Sequence, residues 1–412
     1  MAPSTAPTAS GPAVHPHAAT GAATHWPGIV AVLTAGLVAA LQIGKVAPVL
    51  GEIRADLALD LRAGGWLIAV FGILGVLASV PAGALVSRFG DRRLQLAGLA
   101  AMAAGSGLGA LAGSASGLLA TRVLEGAGFL LFAVSAASVV QRLVLARHRN
   151  LVFSALSCYL PAGMAIALAI GPVFPNWRGF WAANAVLCLG AAAAVFRCVP
   201  GGTRSATAAR WRAIARDALS VARSRGPLLL ALAFAMYALQ FYALSSFLPT
   251  LLGERMHLAP AAAGLLVALA IGCNVIGNLA STPLLSRGVP RWMLVAAASA
   301  ATGACASLVL ASSLPLPLLL ALCLLFYAAG GLIPAAAIGG VAGIVADPRL
   351  LAIAMGLLMQ GSYLGQVAGP ALYGSVVQAS GWTAAAIPTA FAAVAMIVFA
   401  VLLRPVFAAE RN

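Results

Sequence analysis

Apolar runs of roughly 18 to 25 residues recur along the chain, separated by short breaks rich in Arg, Gly and Pro. Each run is long enough to cross a hydrocarbon core of about 30 Å as an α-helix. The pattern predicts about twelve spans. In the first half they lie at roughly 28–50, 64–86, 95–115, 117–140, 151–173 and 180–199. In the second half they lie at roughly 227–251, 260–285, 291–312, 315–345, 350–376 and 382–404. The run 315–345 exceeds one crossing, so it is expected to tilt, kink at Pro334 or extend past the membrane. Lipid leaves only helices or a closed barrel as spanning structures, and period-two alternation is too weak here for a barrel. The expected fold class is an all-α membrane protein with twelve transmembrane helices in two six-helix, pseudo-symmetric halves.

The halves repeat one another. A shift of 199 aligns Leu85-Val-Ser-Arg-Phe-Gly-Asp-Arg92 with Leu284-Leu-Ser-Arg-Gly-Val-Pro-Arg291, each following the second helix of its half. A shift of 198 carries Gly171-Pro172 onto Gly369-Pro370, each in a fifth helix. Repeats of this kind place a binding site at their interface near the midplane. The expected organisation is a disordered tail over 1–27, a six-helix bundle over 28–199, a polar linker over 200–226 and a second bundle over 227–405. Trp211, Ile214 and Leu219 among the linker arginines suit a short helix lying at the membrane surface.

Composition agrees with the pattern: 62% of residues are hydrophobic and 8% charged. The formal net charge of +15 does not point to nucleic acid, because of where it sits. With the N-terminus inside, eighteen basic residues fall at cytoplasmic helix ends, against Arg54, Arg62, Arg178 and Arg255 on the other side. That asymmetry predicts both termini in the cytoplasm of a bacterial inner membrane. Residues 1–27 lack the basic start and apolar core of a secretory signal. His15, His17 and His25 are too scattered to read as a metal site, and the six cysteines read as small buried residues. Six tryptophans, Trp26, Trp66, Trp177, Trp181, Trp292 and Trp382, fall near span ends, where interfacial anchors are expected.

Gly83-Ala-Leu-Val-Ser-Arg-Phe-Gly-Asp-Arg-Arg93 resembles the Gly-x-Leu-x-Asp-Arg-x-Gly-Arg-Arg loop of the major facilitator superfamily. Arg122-Val-Leu-Glu-Gly126 resembles its fourth-helix Arg-x-x-Gln-Gly motif. Gly163, Gly171 and Pro172 partly match the fifth-helix Gly-Pro motif associated with antiporters, although Val173 and Phe174 replace the glycines that follow. The resemblance covers roughly 28–405 and implies a twelve-helix transporter of major-facilitator type. Lys45-Val-Ala-Pro-Val-Leu50 and Tyr159-Leu-Pro-Ala-Gly163 are similar to the bacterial cyanate/nitroimidazole permease group, a weaker match. The loop implies a gate built from Gly83, Arg88, Gly90, Asp91 and Arg92. Ser87 stands where the family has Asp, and Asp91 is the nearest substitute. Arginines holding a tight turn against acidic headgroups are the alternative.

Three charges lie inside spans. Lys45 is the sole lysine, the other basic residues being arginine. Intramembrane ionisable residues are functional candidates. Lys45 follows Gln42 by three on one helix face, and either contacts substrate or changes protonation, or else snorkels to the interface. Arg122 and Glu125 are also three apart and can pair. The pair either orients the helix or loads and releases a proton at Glu125. Tyr237 and Gln240 on the seventh helix, Tyr327 on the tenth, and Gln360 and Tyr363 on the eleventh complete the substrate and coupling candidates. Phe241, Asn274 and Asn278 share their helix faces, and helix gluing is the competing role for all of these.

The expected function is secondary active transport of a small polar or anionic organic solute by alternating access, with protons coupling and a lean to efflux. Uptake of a small organic anion is the alternative, and a non-transporting sensor with this fold is a second. No Walker-type loop or nucleophile–base arrangement points to an enzyme. No cofactor or metal is expected. Partners are a small-molecule substrate, protons and membrane lipids around a monomer, with no nucleic acid.

Overall fold

The computed structural model describes residues 23–201, 211–345 and 348–409; the side chains of 83–88 and a few others near helix ends fall outside the described set. The tail 1–22 and the linker segment 202–210, with its arginines Arg204 and Arg210, therefore lie outside the described residues. Every described regular element is a helix.

In the first half α1 is Trp26–Gly44, followed by a 3-10 turn Ala47–Val49 and a short helix Leu50–Asp56. Helix α2 runs as Leu61–Ala69 and Ile73–Phe89, joined by the 3-10 turn Val70–Gly72. Then come α3 (Asp91–Ala110), α4 (Ala115–Leu143), α5 (Arg149–Ile170) and α6 (Trp177–Cys198). The second half holds α7 (Arg225–Met256), α8 (Pro260–Ser286), α9 (Arg291–Ala311), α10 (Leu316–Ile344), α11 (Pro348–Ala384) and α12 (Ala386–Leu402). A linker helix, Trp211–Arg223, packs on α7 and α11.

Length and composition alone pass eight of these helices as spans, or nine with the bent pair Ile353–Ala384 and Ala386–Leu402 counted as one. Helix α3 begins with the polar Asp91-Arg92-Arg93, and in α5 only Cys158–Val173 reads as a shorter apolar helix. The bend of 95° between α11 and α12 follows Gly381, whose φ of 77° breaks the helix and turns the chain back. The long run expected at 315–345 is one helix, α10, with Pro334 inside it.

The helix starts differ between halves. Asp60, Ser114 and Asn176 each accept from a backbone N–H three residues on, capping α2, α4 and α6. In the second half proline opens α8 and precedes α9 and α10. The turns after the second helix match: Gly90 and Gly288 have φ of 86° and 88°. Residues just before α1 are held, not loose. His25 accepts from Gly28 N–H, and the Thr24 hydroxyl bonds His148 Nδ1 at 2.8 Å in the α4–α5 turn.

Small residues bring the helices together. Gly361, Gly365 and Gly369, four apart on α11, lie against backbone of α7 at Ala231, Ala235 and Leu239. Gly126 of α4 abuts the Phe71 carbonyl on α2, and Gly277 of α8 abuts the Ala328 carbonyl on α10. The halves meet along α2 with α11 and α5 with α8, where Gly65 packs on Pro370 and Gly264 on Leu168 and Pro172.

Candidate functional site

The interior of the first half is charged. Helix α1 ends at Gly44, so Lys45 leaves its cap position beside α3, α4 and α6. Its ammonium donates to Gln42 Oε1 at 2.7 Å, Ser106 Oγ at 2.8 Å and Glu125 Oε1 at 2.6 Å. The Trp181 ring of α6 closes the remaining side, 4.4 Å from Nζ to its centroid. Lys45, Arg122 and Glu125 are each 0% exposed. Snorkelling is therefore not the arrangement found.

Arg122 lies on the other side of Glu125, between α1, α2 and α4. Its Nη1 donates to Glu125 Oε2 and to the Gln42 carbonyl at 2.8 Å, and its Nε to the Leu67 carbonyl at 3.3 Å. Both carbonyls are released by helix breaks. Gln42 sits in the last turn of α1, whose terminal carbonyls have no onward N–H, and Leu67 precedes the 3-10 turn of α2. The Phe71 ring from that turn covers the guanidinium at 4.6 Å.

Glu125 thus holds one cation on each oxygen, and Ser106 also donates to Oε1 at 2.9 Å. Gln42 continues the network to α6, donating to Asn184 Oδ1 at 3.5 Å and Cys188 Sγ at 3.1 Å. Two buried cations against one acid leave one positive charge in excess. Such an arrangement stands only with near-complete hydrogen bonding.

The remaining candidates do not join this cluster. Tyr237 Oη accepts from Asn274 Nδ2 at 3.0 Å, and Tyr327 Oη bonds Ser245 Oγ at 2.9 Å. Phe241 stands between the two tyrosines, at 5.8 Å and 5.6 Å between ring centroids. Gln240 turns toward α12, donating to the Thr389 carbonyl at 3.2 Å. Gln360 reaches across the seam to the Val76 carbonyl at 2.6 Å, and the Tyr363 ring lies on Gly75 of α2. These two sit between the halves.

In the loop after α2, Asp91 accepts from Arg142 Nε at 3.0 Å and Nη2 at 3.1 Å. Arg92 packs on the Phe196 ring and donates to the Phe196 carbonyl. These contacts join α3 to α4 and α6 within the first half. The side chains of Ser87 and Arg88 and the surroundings of Gly83 lie outside the described set.

Ser106, Trp181, Phe71, Asn184 and Cys188 were not legible as site residues. Trp177 and Trp181, expected as interfacial anchors, are 2% and 0% exposed and pack inward. The signal was present in the chain: Trp181 and Asn184 are three apart on α6, with Cys188 four further on, one polar-edged helix face.

A family model described as the Major Facilitator Superfamily matches residues 32–342. The chain belongs to this superfamily. Among curated proteins it is 31% identical over 121 residues to the inner membrane transport protein YajR of Escherichia coli K12, covering 28% of this chain and 26% of that one. It is 27% identical over 225 residues to the 3-(3-hydroxy-phenyl)propionate transporter of the same organism, covering 54% of this chain and 56% of that one. The chain thus matches about a quarter and about half the length of these relatives. Among solved structures, a mutant of the nucleoside transporter NupG has a TM-score of 0.74 at 14% identity, with 92% of this chain and all of that one covered. That likeness concerns the fold. Twelve helices in two sets of six are the superfamily architecture, and the chain is a multi-pass membrane protein.

Proposed function

We propose that this chain is a secondary active transporter that moves a small organic anion across a bacterial inner membrane, driven by protons carried on Glu125. The observation that carries this reading is the buried trio of Lys45, Glu125 and Arg122, with its one excess positive charge. A static bundle needs no such charges, since apolar residues of similar volume fill a core at equal or lower free energy. Glu125 is faced by Lys45 from α1, Ser106 from α3 and Arg122 on its own helix. Protonating it raises the excess charge from one to two, so an anion and a proton favour one another's loading.

That cooperation supports uptake along an inward proton gradient. The relative named for 3-(3-hydroxy-phenyl)propionate, an alkyl carboxylate bearing an aryl ring, supports the substrate class. Export, the direction expected from the partial Gly-Pro motif, keeps support from the close packing around that motif, with Gly163 of α5 on Ala40 of α1 and Gly171 on Pro48 in the turns that follow. Export by exchange requires the opposite coupling, with proton and anion excluding each other. The basic helix ends support an orientation with both termini in the cytoplasm.

Purified protein in liposomes separates these readings. An acidic exterior should drive accumulation of labelled 3-phenylpropionate in the wild type. Glu125→Gln should abolish that accumulation while preserving exchange between equilibrated compartments. Loss of both in a folded variant would reject proton carriage by Glu125. Anion binding that weakens on acidification would favour export, and a protein that moves no solute would favour a sensor.

A further inference from the structure

The cluster accounts for every charged atom but one. Lys45 places its ammonium against three acceptors, and both Glu125 oxygens are bonded. Arg122 uses Nε and Nη1. Its Nη2 is buried and has no hydrogen-bond partner among the described residues. A guanidinium nitrogen kept from water without an acceptor is expensive, more so than a neutral donor. The Phe71 ring attracts the cation through its face but offers Nη2 no hydrogen-bond acceptor. Phe71 belongs to the 3-10 turn Val70–Gly72, a form of backbone that inside a longer helix marks a hinge. The next residue, Gly72, lies against Val367 and Gln366 of α11, in the other half.

The division of labour between the two cations is the informative part. If Arg122 were the only cation, Glu125 would neutralise it. Lys45 bonds Glu125 from the opposite oxygen and leaves Arg122 with charge and a donor unspent. We propose that Arg122 Nη2 is the contact for the substrate carboxylate, and that Lys45 is a positioning residue which neutralises Glu125 so that Arg122 stays available. This rests on the organic-anion reading above. The site takes a monocarboxylate whose apolar body lies beside Phe71. Relative movement of the halves at Gly72 shifts Phe71 and opens access to Arg122.

The test is equilibrium binding of 3-phenylpropionate to the purified full chain in detergent, in the wild type, Lys45→Met, Glu125→Gln and the double variant. Charge counting makes an unusual forecast. Lys45→Met leaves one cation facing one acid, and binding should weaken about tenfold or more although Arg122 is untouched. Glu125→Gln should bind at least as tightly as the wild type. The double variant restores a single excess positive charge and should recover wild-type affinity to within about threefold. Failure of the double variant to recover, or wild-type affinity in Lys45→Met, overturns the assignment. If Lys45→Met does not purify as a folded protein, Glu125→Gln decides, since weaker binding there contradicts the scheme. A wild type that binds neither 3-phenylpropionate nor benzoate rejects the organic-anion reading and this site together. Binding that ignores the charge count rejects this site alone.

Discussion

Between α1 and α4 in the first half stand Lys45, Arg122 and Glu125, while among the described residues the second half buries no charged side chain in the related space. A shift of 200 carries Lys45 onto Ser245, and a shift of 199 carries Ser106 onto Cys305. Ser245 bonds Tyr327, and Cys305, Cys323 and Phe326 are all buried nearby on α9 and α10. Both halves close their α2–α4 or α8–α10 pair on a glycine, Gly126 or Gly277. The same backbone plan therefore stands with an interior of uncharged side chains. The charges of the first half are not required by the fold, which is why they are read as functional.

The largest effect expected is from Glu125→Ala, which strips the acid from between two buried cations. It should cost about 3–5 kcal/mol, seen as a steep fall in melting temperature in detergent. A loss no larger than that of Tyr327→Phe would break the comparison between halves. Next is Lys45→Arg. It keeps the charge but must fit a larger planar head between Ser106, Gln42 and the Trp181 ring, so about 1–3 kcal/mol of overpacking is expected, with pH-driven accumulation lost. Full activity at normal expression would show that the compact ammonium is not needed.

Tyr327→Phe should be milder. It removes one hydroxyl bonded to Ser245, worth about 1 kcal/mol, and transport should fall far less than in Lys45→Arg. A transport defect equal to that of Lys45→Arg would place the second half on a par with the first in the coupling step. The smallest effect is expected from Asp91→Asn at the partly exposed pair with Arg142, below about 1 kcal/mol. Transport by Asp91→Asn sharpens the picture: a large change in rate with unchanged melting temperature would assign the loop a gating role.

The twelve spans, the twofold repeat and the depth of Lys45, Arg122 and Glu125 were legible in the chain. Even the Arg122–Glu125 pairing follows from their three-residue spacing. The second-half candidates were legible as residues and not as a group. Tyr237 and Gln240 share a helix by spacing, yet one bonds Asn274 on α8 and the other the Thr389 carbonyl on α12. Gln360 and Tyr363 read as substrate candidates or helix glue, and they lie on the seam with α2. Helix periodicity identifies a shared face and says little about what the neighbouring helix presents to it.

The sequence by itself determined the class, because lipid imposes a local rule. Each span must be long, apolar and internally hydrogen-bonded, so hydropathy is read residue by residue. It also determined where charges are rare enough to matter. Only the tertiary structure decided that Lys45 meets Glu125 from α1, that Ser106 and Trp181 close around it, and that Arg122 retains an unused donor beneath Phe71. Those meetings depend on how helices rotate and cross, and the crossings are set by close contacts such as Gly98 with Gly128 and Gly126 with the Phe71 carbonyl. Contacts of that kind join positions tens of residues apart, and no pattern within a single helix encodes them.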